Sequence, residues 1–192
     1  MGFPWAEVRR LALVVKKPIV MVGMMGAGKS AVGRALAQRL GVPFVDSDQE
    51  IETAAQMSIA EIFERDGEPF FRDRESEVIA RLLAAGPSVI STGGGAYLRA
   101  ENRAMIHETG VAVWLRADLD LLWERVRHKS TRPLLHTPDP KATLKALYEG
   151  RVATYAKAEL VVDAHAGYSI QAMTEQVIRV LKTRPDVVGE ES

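Results

Sequence analysis

The sequence predicts a parallel α/β sheet built around a phosphate-binding loop, on three observations. Short apolar runs at 19–22, 42–45, 88–91, 111–115 and 160–163 alternate with segments whose apolar residues recur at helical spacing, as strand-helix-strand crossovers over a sheet covered on both faces require. Gly23-Met24-Met25-Gly26-Ala27-Gly28-Lys29-Ser30 fills each required position of G-x-x-x-x-G-K-[ST], with an apolar run before it and a helical stripe after it. Acidic and glycine-rich residues also collect at the strand ends, where such sheets bind ligands.

In chain order, Ile19 to Val22 is a buried strand that delivers the loop, and Ala31, Val32, Ala35, Leu36 and Leu40 stripe the following helix. The loop glycines let backbone N–H groups turn toward phosphate oxygens, and the helix aims its positive end at the same anion. Lys29 is expected to reach the β- and γ-phosphates and Ser30 to ligate Mg²⁺. Residues 42–45 form a second strand with Asp46 and Asp48 at its exit. Ser58 and Glu61 make a capping box for a helix that Asp66-Gly67 closes. A longer helix from Pro69 or Phe70 to Ala85 then turns Val78, Ile79, Leu82 and Leu83 inward. The third strand, Ser88 to Ser91, runs into Gly93-Gly94-Gly95. A helix over 101–108, a strand over 111–115 and a helix capped by Asp118 follow. Segment 127–140 is polar, contains proline and lacks a core pattern, as a mobile lid would. Leu144, Tyr148, Val152 and Tyr155 stripe another helix, 160–163 is the last strand, and Ile170, Met173, Val177 and Leu181 stripe the final helix. The tail after Lys182 reads as frayed. The expected organisation is an N-terminal extension over 1–17, one domain over 18–182 and a tail over 183–192.

Lys plus Arg and Asp plus Glu number 25 each in 192 residues, so no net basic field points to nucleic acid or an anionic membrane. Phosphate binding must therefore be local. The lack of cysteine excludes disulfides, thiolate metal sites and cysteine nucleophiles, and suits a reducing cytoplasm. Arg9 and Arg10 precede an apolar run over 11–15, but the run is too short for an export signal and ends in Lys16-Lys17. No stretch reaches the ~18 apolar residues of a membrane span. A soluble, cytoplasmic monomer is expected.

The remaining polar residues bear on what receives the phosphoryl group. Asp46 is placed to hold Mg²⁺ directly or through water, because the strand ending at Ser91 supplies no acid of its own. Asp48 is then available to bind an acceptor hydroxyl and take its proton, or only to cap the adjacent helix. Gly93-Gly94-Gly95 offers bare backbone against which a flat ligand fits, or a tight turn with no ligand. Arg72, Arg132 and Arg151 come from three segments; converging, they would neutralise an anionic acceptor and the transferring phosphoryl group. The four histidines have no metal-ligand spacing and read as surface or lid residues, whereas Trp114 and Trp123 read as core.

These motifs, together with Asp46-Ser47-Asp48, Ser58 to Phe63, Gly67-Glu68, Phe71-Arg72, Glu75, Arg132-Pro133-Leu134-Leu135 and Arg151 with Tyr155, resemble the shikimate kinase family in content and order over about residues 18–182. The resemblance implies a P-loop kinase fold of the nucleoside-monophosphate-kinase type, with five parallel strands in the order 2-3-1-4-5 and a closing lid. It implies ATP-dependent phosphorylation of the 3-hydroxyl of shikimate, in the chorismate route to aromatic amino acids, with Mg²⁺ as the metal. Gly26, Ala27, Gly28, Lys29, Ser30 and Ala31 would then bind nucleotide, with Arg132 from the lid and either Arg125 or Arg127 at the adenine. Ser30 and Asp46 would serve Mg²⁺. Asp48, Arg72, Gly93, Gly94, Gly95 and Arg151 would form the acceptor pocket, with Lys29, Asp48 and Arg132 catalytic. Ala31 departs from the threonine common after the loop serine. The competing readings are a kinase for gluconate or another small metabolite on the same fold, and a non-catalytic ATP-sensing module.

Overall fold

The structure, a computed structural model, describes residues 13–128 and 135–190. Its core is a sheet of five parallel strands, β2 (Ile19–Val22), β3 (Phe44–Asp46), β4 (Val89–Ser91), β5 (Val111–Arg116) and β6 (Leu160–Asp163), with β1 (Leu13–Val15) lying outside it. The strands are ordered β3-β4-β2-β5-β6, the 2-3-1-4-5 arrangement of the five in chain order. Central β2 is buried at all four residues, with Ile19 opposite Val89 on one side and Val111 on the other. A strand flanked on both edges and covered on both faces has no solvated side, which accounts for its unbroken Ile-Val-Met-Val.

Helix α1 (Lys29–Leu40) leaves the loop directly and ends at Gly41, whose left-handed conformation (φ 67°) lets its N–H reach back to the last carbonyls. The strand expected over 42–45 instead runs from Phe44 to Asp46: Pro43 has no N–H and serves only as an acceptor, for the Val89 N–H. Helix α2 (Ser47–Ala55) is capped by Asp46, and α3 (Ile59–Ala84) begins with the expected capping box of Ser58 and Glu61. The expected break at Gly67 is present inside α3, where φ 84° and ψ 169° interrupt two roughly continuous helical halves.

After β4, the segment Ala96–Leu98 forms a 3₁₀ turn, followed by α4 (Ala100–Thr109), α5 (Leu119–Val126), α6 (Pro140–Tyr155) and α7 (Ile170–Leu181). Of the expected lid, 127–140, residues 129–134 fall outside the described residues, and Arg132 with them. Its flanks are ordinary: Arg127 caps the end of α5, Leu135 is buried, and the Asp139 side chain caps α6. The tail is where the expectation fails. Beyond Lys182, β7 (Val188–Glu190) pairs antiparallel with β1, Lys17 meets Asp186 at 3.1 Å, and Val187 and Val188 are buried. Two segments too short to show a period on their own are ordered by pairing with each other. No helix among the described residues is long and apolar enough to cross a membrane.

Candidate active site

The loop between β2 and α1 folds around its own lysine. Lys29, almost fully buried, donates from Nζ to the carbonyls of Gly23 and Met24 at 2.9 Å each. Those bonds hold the ammonium across the mouth of the loop, where arriving phosphate oxygens would compete for it. Gly26 and Gly28 have φ of 81° and 98°, which an L side chain rarely adopts, and Met24 and Met25 are buried. Ala31 lies exposed on the first turn of α1. Arg125, on α5, donates from Nη1 to the carbonyls of Gly26 and Ala27 at 3.1 and 3.3 Å, whereas Arg127 points away to Glu124 at 3.7 Å. Of the two, only Arg125 touches the loop.

Two side-chain oxygens meet the hydroxyl of Ser30. Its hydroxyl donates to Asp46 Oδ2 at 2.8 Å and lies 3.0 Å from the Ser91 hydroxyl. Hard oxygen donors that leave room for water and phosphate oxygens suit Mg²⁺, so Ser30 and Asp46 fit the metal they were expected to serve. Among the described residues no group of three or more histidine, cysteine or acidic side chains forms an all-protein metal cage. The other Asp46 oxygen accepts the Asp48 N–H at 3.1 Å. Asp46, not Asp48, is therefore the cap of α2, and the capping reading of Asp48 is corrected.

Asp48 is left with its carboxylate aimed elsewhere. Its Oδ1 is buried and has no hydrogen-bond partner among the described residues, and a β-carbon placed on Gly93 would lie 2.7 Å from it. Burial is the main cause that pushes the Asp48 carboxyl up to about 6; the neighbouring Asp46 charge adds to it, and Lys29 opposes it.

The other two glycines each face an arginine. A β-carbon on Gly95 would stand 2.5 Å from both terminal nitrogens of Arg72, and one on Gly94 would stand 3.4 Å from Arg151 Nη1. Gly94 also abuts the phosphate loop, 3.7 Å from the Gly23 carbonyl and the Met25 nitrogen by the same measure. The structure thus gathers Asp48, Arg72 and Arg151 on one bare turn that touches the loop. Arg132 is the one expected site residue whose place is not described.

Two partners of this cluster were quoted in the family pattern but given no chemical role there. Glu75, buried, accepts from Arg72 Nη1 at 2.8 Å and keeps one oxygen unpaired among the described residues; burial raises its carboxyl while Arg72 opposes the shift. The signal was available: Glu75 sits at i, i+4, i+7 with Ile79 and Leu82, an acid on an inward stripe. Tyr155, read as part of a stripe and beside Arg151 in the family pattern, donates its hydroxyl to the Gly94 carbonyl. Its phenol is raised by burial, with Arg151 opposing. His107 is exposed as expected, but it bridges the Tyr97 hydroxyl and Glu159.

Comparison with known proteins identifies the family. A model of the shikimate kinase family matches residues 25–182. The chain is 67% identical over 177 residues to the shikimate kinase of Ruegeria pomeroyi, covering 92% of this chain and 91% of that one. It is 60% identical over 180 residues to that of Cereibacter sphaeroides, covering 94% and 90%. Among solved structures, shikimate kinase from Acinetobacter baumannii in complex with shikimate superposes with a TM-score of 0.80 at 36% identity, covering 88% of this chain and 92% of that one. The match reaches from the phosphate loop to the last helix, and the chain belongs to the shikimate kinase family.

Proposed function

We infer that the chain transfers the γ-phosphoryl group of ATP to the 3-hydroxyl of shikimate, giving shikimate 3-phosphate and ADP, a step in the chorismate route to aromatic amino acids. The observation that carries the residue assignment is the Asp48 carboxylate, lying against Gly93 with its buried Oδ1 unpartnered among the described residues, between the phosphate loop and two guanidiniums. A base poised near the operating pH beside two cations is suited to a hydroxyl on a small anion.

In this reading Arg72 and Arg151 hold the shikimate carboxylate, and Gly93-Gly94-Gly95 lets the ring lie close. Asp48 orients the 3-hydroxyl and accepts its proton as the oxygen attacks. Lys29 exchanges its loop carbonyls for the β- and γ-phosphate oxygens, with the loop N–H groups of 26–31 around them. Mg²⁺ supplied with ATP neutralises charge on the phosphates, and Ser30 and Asp46 are the residues that would hold it. Arg125 is assigned to the nucleotide because it reaches the loop, and Arg127 is not. Arg132 keeps the assignment to the transferring phosphoryl group that the family resemblance gives it. We place the reaction in the cytoplasm, on a monomer, without nucleic acid or membrane.

A coupled assay of ADP release from Mg-ATP, with shikimate, gluconate and AMP offered separately, tests the reading. Stimulation by shikimate alone is expected. Stimulation by gluconate would overturn the roles of Arg72 and Arg151, and acceptor-independent single turnover would point instead to an ATP-sensing module.

A further inference from the structure

Arg72 has little of its guanidinium unused. The group presents two forked edges to a carboxylate, a side edge of Nε with Nη2 and an end edge of Nη1 with Nη2. The end edge is pressed against Gly95, where a β-carbon would lie 2.5 Å from both nitrogens, and Nη1 also donates to Glu75 at 2.8 Å. The side edge belongs to Glu68: its Oε1 accepts from Nε at 3.2 Å and from Nη2 at 3.0 Å.

The two acids differ in how firmly they are held. Glu75 is buried at 1% side-chain exposure, while Glu68 is 61% exposed. Glu68 follows the backbone break at Gly67 and precedes Pro69, so it opens the second half of α3 and reaches one turn forward to Arg72. An exposed pair at this i, i+4 spacing is weak and readily exchanged, whereas a buried acid is not.

We propose that Glu68 is an internal competitor for the acceptor's carboxylate, occupying the side edge of Arg72 until shikimate displaces it. This rests on the assignment of Arg72 to that carboxylate. Glu68 then sets acceptor affinity: only the fraction of molecules with the side edge open binds at full strength, and the apparent dissociation constant rises in proportion. A neutral acceptor that does not call on the guanidinium leaves Glu68 in place.

The test is Glu68→Gln in the full chain, with calorimetric titration of shikimate and of its methyl ester, and steady-state kinetics beside them. Loss of the competing charge is expected to lower the shikimate dissociation constant and KM about two- to fivefold, to leave methyl ester binding within about twofold of the parent, and to put the gain on KM rather than kcat. Weaker shikimate binding would make Glu68 a residue that positions Arg72, and unchanged binding would make the pair a helix-surface contact; either result overturns the proposal. Tightening of both ligands alike would indicate a general loosening of the site and also overturn it. If the parent chain itself neither binds nor phosphorylates shikimate, the functional assignment fails instead, and a melting curve of the variant separates both from misfolding.

Discussion

The chain has two glycine-rich turns at neighbouring strand ends, and Gly28 in one and Gly95 in the other need glycine for opposite reasons. Gly28 in the phosphate loop has room: the nearest atom to an added β-carbon is 3.8 Å away, but its φ of 98° is one that side chains rarely adopt. Gly95 in the second turn has an ordinary backbone, φ −89° and ψ −17°, but no room, because Arg72 lies on it. The first turn uses glycine for conformation at all three positions, to point N–H groups at an anion, although Gly23 and Gly26 are short of room as well. The second uses it for space, so that three side chains can press against the backbone. In the proposed reaction the first turn would serve the donor and the second the acceptor, and substitutions at the two should separate.

The largest effect is expected at the side chain over Gly93. Asp48→Asn should lower kcat by about 10²- to 10⁴-fold while leaving Mg-ATP affinity near that of the parent; equal loss of both would move Asp48 to the metal. The same change should stabilise the fold at neutral pH. The folded state binds the Asp48 proton more tightly than the unfolded one, because the carboxyl rises from 3.8 to about 6. Its contribution to stability is therefore greatest below about pH 4 and is lost as pH rises through about 6, a difference on the order of 3 kcal/mol for a carboxyl raised that far. Denaturation of the two proteins at pH 4 and pH 7.5 should show the gap only at the higher pH. In the parent, kcat/KM for shikimate should fall about tenfold per unit below pH 6; a flat profile would mean Asp48 positions the hydroxyl without taking its proton.

Gly95→Ala should come next. A β-carbon displaces the Arg72 guanidinium, and loss of a charged hydrogen bond worth about 1.5–3 kcal/mol raises the shikimate KM roughly 10- to 100-fold. Gly28→Ala should raise the ATP KM about tenfold, through about 1–2 kcal/mol of left-handed strain in the loop. Gly94→Ala should change either KM less than about threefold, since 3.4 Å from Arg151 is an ordinary contact. A larger effect at Gly94 than at Gly95 would reverse the ranking of the two arginines.

Much of this was legible in the sequence because it is local. The loop, the Ser58 capping box, the break at Gly67 and the strand run Ile19 to Val22 each rest on a few adjacent residues, and the structure holds them where the spacing put them. What the sequence hid depends on partners distant in the chain. β1 and β7 pair across most of its length, so neither Leu13–Val15 nor Val188–Glu190 carries a signal alone. The choice of Arg125 over Arg127 turns on which face of α5 meets the loop, and the unpartnered oxygen of Asp48 on what Asp46 already caps. Residue types at the site were readable; which edge of each side chain was taken was not.

The division between the two turns is tested most directly by measuring both KM values, for shikimate and for ATP, on Gly95→Ala and Gly28→Ala in one coupled assay. Crossed effects are predicted, with the shikimate KM rising in the first and the ATP KM in the second while the other value stays within about threefold of the parent. If each substitution raised both KM values to the same extent, the turns would act as one site and the separation of donor from acceptor would be wrong.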